Sequence, residues 1–230
     1  MVILVIGVIK LAIHLLDIYR SSNIGIFLKS NENHLLVPRG LAKTKIEKLA
    51  EYLSVESIEI SIGGFRLLGP LIAMNNNGIL VSKLADENEI TLLKKVTGLP
   101  VERLQSKYTS VGNLISANDR GVIASTLLKD VKNQIADVLN VPIEFLTIAS
   151  FDNVGALMVS GNVGSAIHPQ ASDGEITKAT KALKVAVEPI TINRGLPFIA
   201  SGIILSKTKA VVGSLTTGPE LIMLSRIFKL

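Results

Sequence analysis

The 230-residue chain has no cysteine and no tryptophan, and only 4% of it is aromatic. The first absence excludes disulfides, thiolate metal sites and a thiol nucleophile. The second leaves few flat platforms for stacking nucleobases, so a surface poor in aromatics is expected, touching a partner's backbone or protein. Histidine is scarce as well, with three copies. His14 and His34 fall beside a strand end and a hairpin turn, where solvated side chains are expected, and His168 precedes Pro169 in a structural setting. A serine hydroxyl needs an adjacent general base to act as a nucleophile, and no convergent His/acid group is visible to provide one. What the chain has in excess is positive charge, 24 Lys and Arg against 19 Asp and Glu. The net charge of +5 and pI near 9.4 point to an acidic partner. With 48% hydrophobic residues and a mean hydropathy of +0.46, there is apolar material for a large core, and no window reads as disordered.

The run from Met1 to Ile9 is continuously apolar, but Lys10, His14 and Asp17 break the pattern beyond it. It is too short to span a membrane and lacks the basic flank and cleavage site of a secretory signal. Residues 1–12 are expected to form an apolar, β-like or loosely packed extension to a single domain at 13–230.

A repeat organises that domain. Gly25, Gly69, Gly112, Gly155 and Gly202 are spaced by 44, 43, 43 and 47 residues. After each glycine comes a short apolar run of strand type, then a polar turn rich in residues that tolerate positive φ, then a second apolar strand. Asn75-Asn76-Asn77-Gly78 and Asn118-Asp119-Arg120-Gly121 are the clearest turns. The fourth turn reads as one residue longer than the others.

Beyond each hairpin the apolar period changes from about two to about 3.6, which marks a helix. Ile46, Leu49, Ala50 and Leu53 share one helical face, as do Ile90, Leu93 and Val96, then Val131, Ile135 and Val138, then Ile176, Ala179 and Leu183, and finally Leu221, Leu224 and Phe228. Asp86 with Glu89, Ser172 with Glu175 and Thr217 with Glu220 have the spacing of a capping box. A third strand comes after four of the helices, but the fifth helix runs to the end of the chain. Ile62, Gln105 and Ile148 each lie seven residues before a repeat glycine, and Ile18 holds the same offset from Gly25. The segment Leu15–Arg20 is therefore expected to complete the fifth unit. The fold class is α/β, a closed five-fold pseudosymmetric β/α propeller of 43–47-residue repeats, whose ring needs no end caps. Filled apolar strands would leave it without deep clefts.

Candidate functional residues carry two readings each. Lys43, Lys45 and Lys48 form a solvated helix face or a phosphate-binding patch. Thr216 and Thr217 lead into a helix whose first turn contains Pro219, which explains them as a cap, and their second reading is contact with a partner. Asn113, Asn193 and Arg194 sit beside glycines at unit junctions, where they serve turns or reach out from one end of the ring; Arg194 suits bidentate contact with phosphate or carboxylate. Gly63-Gly64-Phe65-Arg66-Leu67-Leu68-Gly69 lacks the Lys-Ser/Thr ending of a phosphate loop and reads as a repeat junction.

Several runs in order, Asn23-Ile24-Gly25, Leu36-Val37-Pro38, Asn77-Gly78-Ile79-Leu80-Val81, Val111-Gly112-Asn113-Leu114, Ile167-His168-Pro169, Thr191-Ile192-Asn193-Arg194-Gly195 and Thr216-Thr217-Gly218-Pro219-Glu220-Leu221, resemble those of the archaeal and eukaryotic translation initiation factor six family. The resemblance covers about residues 13–230, with Ser82 where that family usually has Pro. It implies the pentein fold, and a cytoplasmic, monomeric, non-enzymatic ribosome anti-association factor without cofactor. Such a factor binds the large (50S) ribosomal subunit at its subunit-joining face, through ribosomal proteins and rRNA, and prevents association with the small (30S) subunit. It also takes part in large-subunit maturation. No small-molecule substrate and no membrane partner are expected. The competing reading is a catalytically inactive scaffold, or a relative of the guanidino-modifying enzymes of the same fold class, which use the Cys nucleophile that this chain lacks.

Overall fold

A computed structural model describes residues 12–230, so the apolar run before Ala12 lies outside the described residues. Five three-stranded sheets surround a central cavity to which all five contribute. In the second unit Ile72–Met74 and Ile79–Val81 form the hairpin, the helix Glu87–Thr97 crosses outside it, and Val101–Arg103 returns parallel to the middle strand. The first unit repeats this with Lys29–Ser30, His34–Pro38 and Glu56–Ile60, the third with Ile115–Ala117, Val122–Ser125 and Ile143–Leu146, and the fourth with Met158–Ser160, Ser165–Ile167 and Val187–Pro189. The fifth takes Ile203–Leu205 and Ala210–Val212 from the end of the chain and its third strand, Ile13–Leu15, from the beginning. Ring closure by the N-terminal strand is thus observed, with His14 opposite Val211.

The closing strand lies earlier than Leu15–Arg20. Ile18 instead bridges to Ser21, as Ile62 does to Phe65, Ile148 to Phe151 and Ile192 to Leu196. The seven-residue offset marks the turn just past each third strand. A second correction concerns the glycines, which do not lead straight into strands. They occupy one-turn helices, Ile24–Ile26, Leu68–Leu71, Val111–Leu114 and Val154–Leu157, whose fifth counterpart is Ile199–Ser201. Ala200, not Gly202, therefore holds the repeat position in the fifth unit. The additional residue there belongs to the turn Ile192–Leu196, while all five hairpin turns close between residues three apart, the fourth included.

These one-turn helices pack backbone to backbone. A Cβ on Gly69 would lie 1.8 Å from the Gly25 carbonyl oxygen, one on Gly112 1.9 Å from that of Gly69, and one on Gly25 1.9 Å from that of Ala200. No side chain fits at these three contacts, so they require glycine, while the fifth one-turn helix has room for the Cβ of Ala200.

Each hydrophobic core lies between two units. Ile58 and Ile60 of the first pack with Leu68, Ile72, Ile79, Ile90 and Leu93 of the second, and Ile190 and Ile192 of the fourth with Ile203, Leu224 and Phe228 of the fifth. A unit alone leaves an apolar face bare, which is why closure matters. The helices match their expected apolar faces except at Val96, which is exposed while Leu92 packs against the core. Both the Asp86–Glu89 and Ser172–Glu175 capping boxes form.

Candidate functional site

The two ends of the ring differ in kind. At one end lie the hairpin turns and the helix C-termini. There the amide of Asn75 donates to the carbonyls of Asn118 (3.0 Å) and Leu139 (2.9 Å), and that of Asn118 to Gly161 (3.1 Å) and Leu183 (3.0 Å). A second tier links Asn76 to Asp119 (2.7 Å), and Asn162 to both Asp119 (2.6 Å) and Glu32 (2.9 Å). These polar groups are satisfied by one another and serve the ring itself.

The opposite end carries the one-turn helices, the turns after the third strands and the helix N-termini. Four of those turns hold consecutive residues in the left-handed region: Tyr19 and Arg20, Gly63 and Gly64, Ala149 and Ser150, Asn193 and Arg194. Six of these eight carry side chains, which disfavour that conformation. The turns also project apolar side chains outward. Tyr19, Phe65, Phe151 and Phe198 are 41%, 51%, 47% and 39% exposed, so four of the nine aromatic residues face solvent at this end. The surface is not poor in aromatics where these turns meet solvent. Phe65 and Phe151 occupy the same repeat position, three residues after Ile62 and Ile148, and superposing the repeats would have revealed them. Arg20, Arg39, Arg66 and Arg194 are exposed on the same end.

Of the residues singled out from sequence, Asn193 is buried, donating to the Ser22 carbonyl (2.9 Å) and accepting from the Thr216 hydroxyl (3.1 Å). It ties the fourth and fifth units to the start of the chain, and Thr216 orients it. Glu220, one turn into the last helix, accepts from the Thr217 N–H (2.8 Å) and hydroxyl (2.9 Å), the Thr191 hydroxyl (2.8 Å) and the N–H groups of Arg194 (3.2 Å) and Gly195 (3.0 Å). Burial alone would raise its pKa, but the bonds from Thr217, Gly195 and Thr191 prevail and hold it below the ordinary carboxylate value. Its spacing from Thr217 marks Glu220 only as a helix cap, yet it also presents Arg194 to solvent. Glu89 does the same for the turn at Gly63, taking its N–H at 2.7 Å, and Lys45 stands at the equivalent helical position, its ammonium bonded to the Asp17 carbonyl. Lys43 and Lys48 are exposed. Asn113 lies half-buried at the mouth of the central cavity.

That cavity, about 350 Å³, corrects the expectation of a ring without clefts. The histidines depart from simple solvation as well. His14 stacks on Tyr52 with ring centroids 3.9 Å apart, and a buried ring nitrogen of His34 has no hydrogen-bond partner among the described residues. His168 is buried and its pKa lowered by desolvation, against an opposing pull from Glu175. Its Nδ1 accepts from the Gln170 N–H (3.1 Å), which leaves the proton on Nε2.

The five-unit ring is that of the penteins: over 73% of this chain and 69% of the other, the structure matches a dimethylarginine dimethylaminohydrolase with a TM-score of 0.51 at 14% identity, a likeness of fold alone. Residues 13–227 match the eIF-6 family profile, and the chain belongs to that family. It is 46% identical over 213 residues to translation initiation factor 6 of Nitrosopumilus maritimus, covering 92% of this chain and 96% of that protein. Against translation initiation factor 6 of Pyrococcus abyssi the identity is 36%, over 90% and 94% of the two chains. It is a translation initiation factor of this family rather than an enzyme. Among the described residues no helix is long and apolar enough to cross a membrane.

Proposed function

We propose that this protein binds the large (50S) ribosomal subunit through the end of the ring that carries the one-turn helices, and so keeps the small (30S) subunit from joining. The supporting observation is the joint exposure there of Tyr19, Phe65, Phe151 and Phe198 with Arg20, Arg66 and Arg194 on turns of constrained backbone. Aromatic and arginine side chains dominate binding energy at protein interfaces, and a turn that is already ordered loses little entropy on docking. Asn113, Arg194, Thr217 and Lys43 share this end; Asn193, Thr216 and Lys45 act by holding its turns, and Lys48 extends the basic surface along the outer helix. Arginines facing rRNA phosphates make the affinity fall with salt, whereas a contact with ribosomal protein leaves it flatter. Occupancy of the joining face is the mechanism, in the cytoplasm and without catalysis, and the same contact suits a role in large-subunit maturation.

The test is a density gradient of separated subunits under joining conditions, with the protein in excess. Free subunits should accumulate, and the protein should travel with the large one. Phe65→Ala and Arg194→Ala should each weaken binding by about 10- to 100-fold, equivalent to about 1–3 kcal/mol, with melting temperature nearly unchanged. Unaltered joining, or equal binding to both subunits, would reject this reading.

A further inference from the structure

The central cavity opens between the one-turn helices, past Gly25, Gly69, Gly112, Gly155 and Ala200. Its inner wall is formed by the first strand of each hairpin, and the side chain of Lys29 stands in that wall. No other ionisable residue lines the cavity among the described residues. The polar groups around it are uncharged: Ser30, Asn113, Ser116, Asn153, Ser160 and Ser201. The charged groups Glu32, Asp119 and Lys207 belong to the hairpin-turn end, the imidazole of His34 starts the strand His34–Pro38, and none of them is in this wall. Lys29 is half-buried, so its ammonium also meets the solvent of the cavity. A cation in the wall of a half-open cavity with no counter-charge beside it has an anion as its natural complement.

We propose that the central cavity is a binding site for a small carboxylate- or phosphate-bearing anion, paired with the Lys29 ammonium and hydrogen-bonded by the surrounding hydroxyl and amide groups. Burial lowers the Lys29 pKa from 10.5 to about 8, so the ammonium is the main form at neutral pH and is neutralised within the accessible alkaline range. The cavity volume is at the lower end of those that enclose small ligands, and its apolar wall, including Leu28, Met74, Ile115 and Met158, suits a short organic body behind the anionic group. This inference is independent of the ribosome reading.

Inorganic phosphate and acetate are the probes, titrated separately by calorimetry into the full chain at fixed ionic strength and pH 7. At least one should bind with a stoichiometry of one and raise the melting temperature by about 3–5 °C at tenfold its Kd. Lys29→Met should weaken that binding at least tenfold, Lys29→Arg should restore part of it, and Lys178→Met, on an exposed helix face, should leave it unchanged. For the wild type, binding of acetate should fade between pH 7 and 9.5. Silence towards both probes, equal binding by Lys29→Met, loss with Lys178→Met, or undiminished acetate binding at pH 9.5 would overturn the proposal.

Discussion

Replacing Glu220 with Gln tests whether one carboxylate joins the last helix to the turn that carries Arg194. In the folded protein its two oxygens accept five hydrogen bonds, from Thr191, Arg194, Gly195 and, twice, Thr217. The amide keeps one oxygen as an acceptor and turns an NH2 towards donors, so about half of these contacts are lost and two groups of like polarity face each other. Charge-assisted bonds contribute about 1.5–3 kcal/mol each, and the destabilisation should be about 3 kcal/mol. For a domain of this size that lowers the melting temperature by about 6–12 °C. Hydrogen exchange supplies the local readout, because the amides of Arg194 and Gly195 should lose protection before the body of the helix does. The effect is pH-dependent with a definite sign. The folded-state pKa is depressed, so the carboxylate's contribution is full above its unfolded value of 4.5 and disappears as pH falls through the folded one. Wild type and variant should therefore converge in acid. A Gln variant as stable as wild type at pH 7, with unchanged exchange at Arg194, would refute this account of the turn.

Four further outcomes follow from the packing, the cavity and the sheet edge. Gly69→Ala should destabilise by about 3 kcal/mol in calorimetric melts, since its Cβ meets the Gly25 carbonyl and backbone cannot yield as a side chain can; Gly174→Ala, whose Cβ would meet nothing within 4 Å inside a helix, should instead gain about 0.5–1 kcal/mol. In acetate- and phosphate-free buffer Lys29→Met should melt higher than wild type at pH 7, by about 2 kcal/mol once solvent in the cavity is allowed for, and the gap should close between pH 8 and 10.5 because the unfolded chain holds the proton longer. Deleting residues 1–15 removes the strand paired with Ala210–Val212 and should cause aggregation detectable by light scattering, as an unpaired sheet edge is exposed.

The ring was legible because its signals are local and repeated five times. Asn75 and Asn118 mark hairpin turns through their own backbone bonds, and Asp86 with Glu89 marks a helix start within four residues. The closing strand was legible only as a missing part, and its placement slipped by a few residues because Ile18, the anchor of the offset, is buried like a strand residue while sitting in a turn. Ala200 was hidden for a different reason. Its unit carries an extra residue at Gly195, and Gly202 imitates the repeat two positions later. The candidate site was legible in part. Arg194 and Asn113 were found as polar residues beside glycines, but Phe65 and Phe151 resemble core residues in a linear reading, and only the turn geometry turns them outward. Lys29 could not be read at all, since its strand becomes the wall of a cavity only when four other strands close around it.

The direction of the chain separates the two ends of the ring. Each third strand runs parallel to the middle strand of its hairpin, so both finish at the same end, where the helix begins and the next one-turn helix starts. The hairpin-turn end is tied to the following unit by the paired bonds of Asn75 and Asn118, and a change in one turn would disturb its neighbour. The turns at the other end are held mainly by single carboxylates, Glu89, Glu175 and Glu220, each reaching back from the helix of the next unit. Their outward side chains take no part in these bonds. Phe65, Phe151 and Arg194 are such side chains, and a surface assembled from several independently supported turns suits contact with a large, irregular partner.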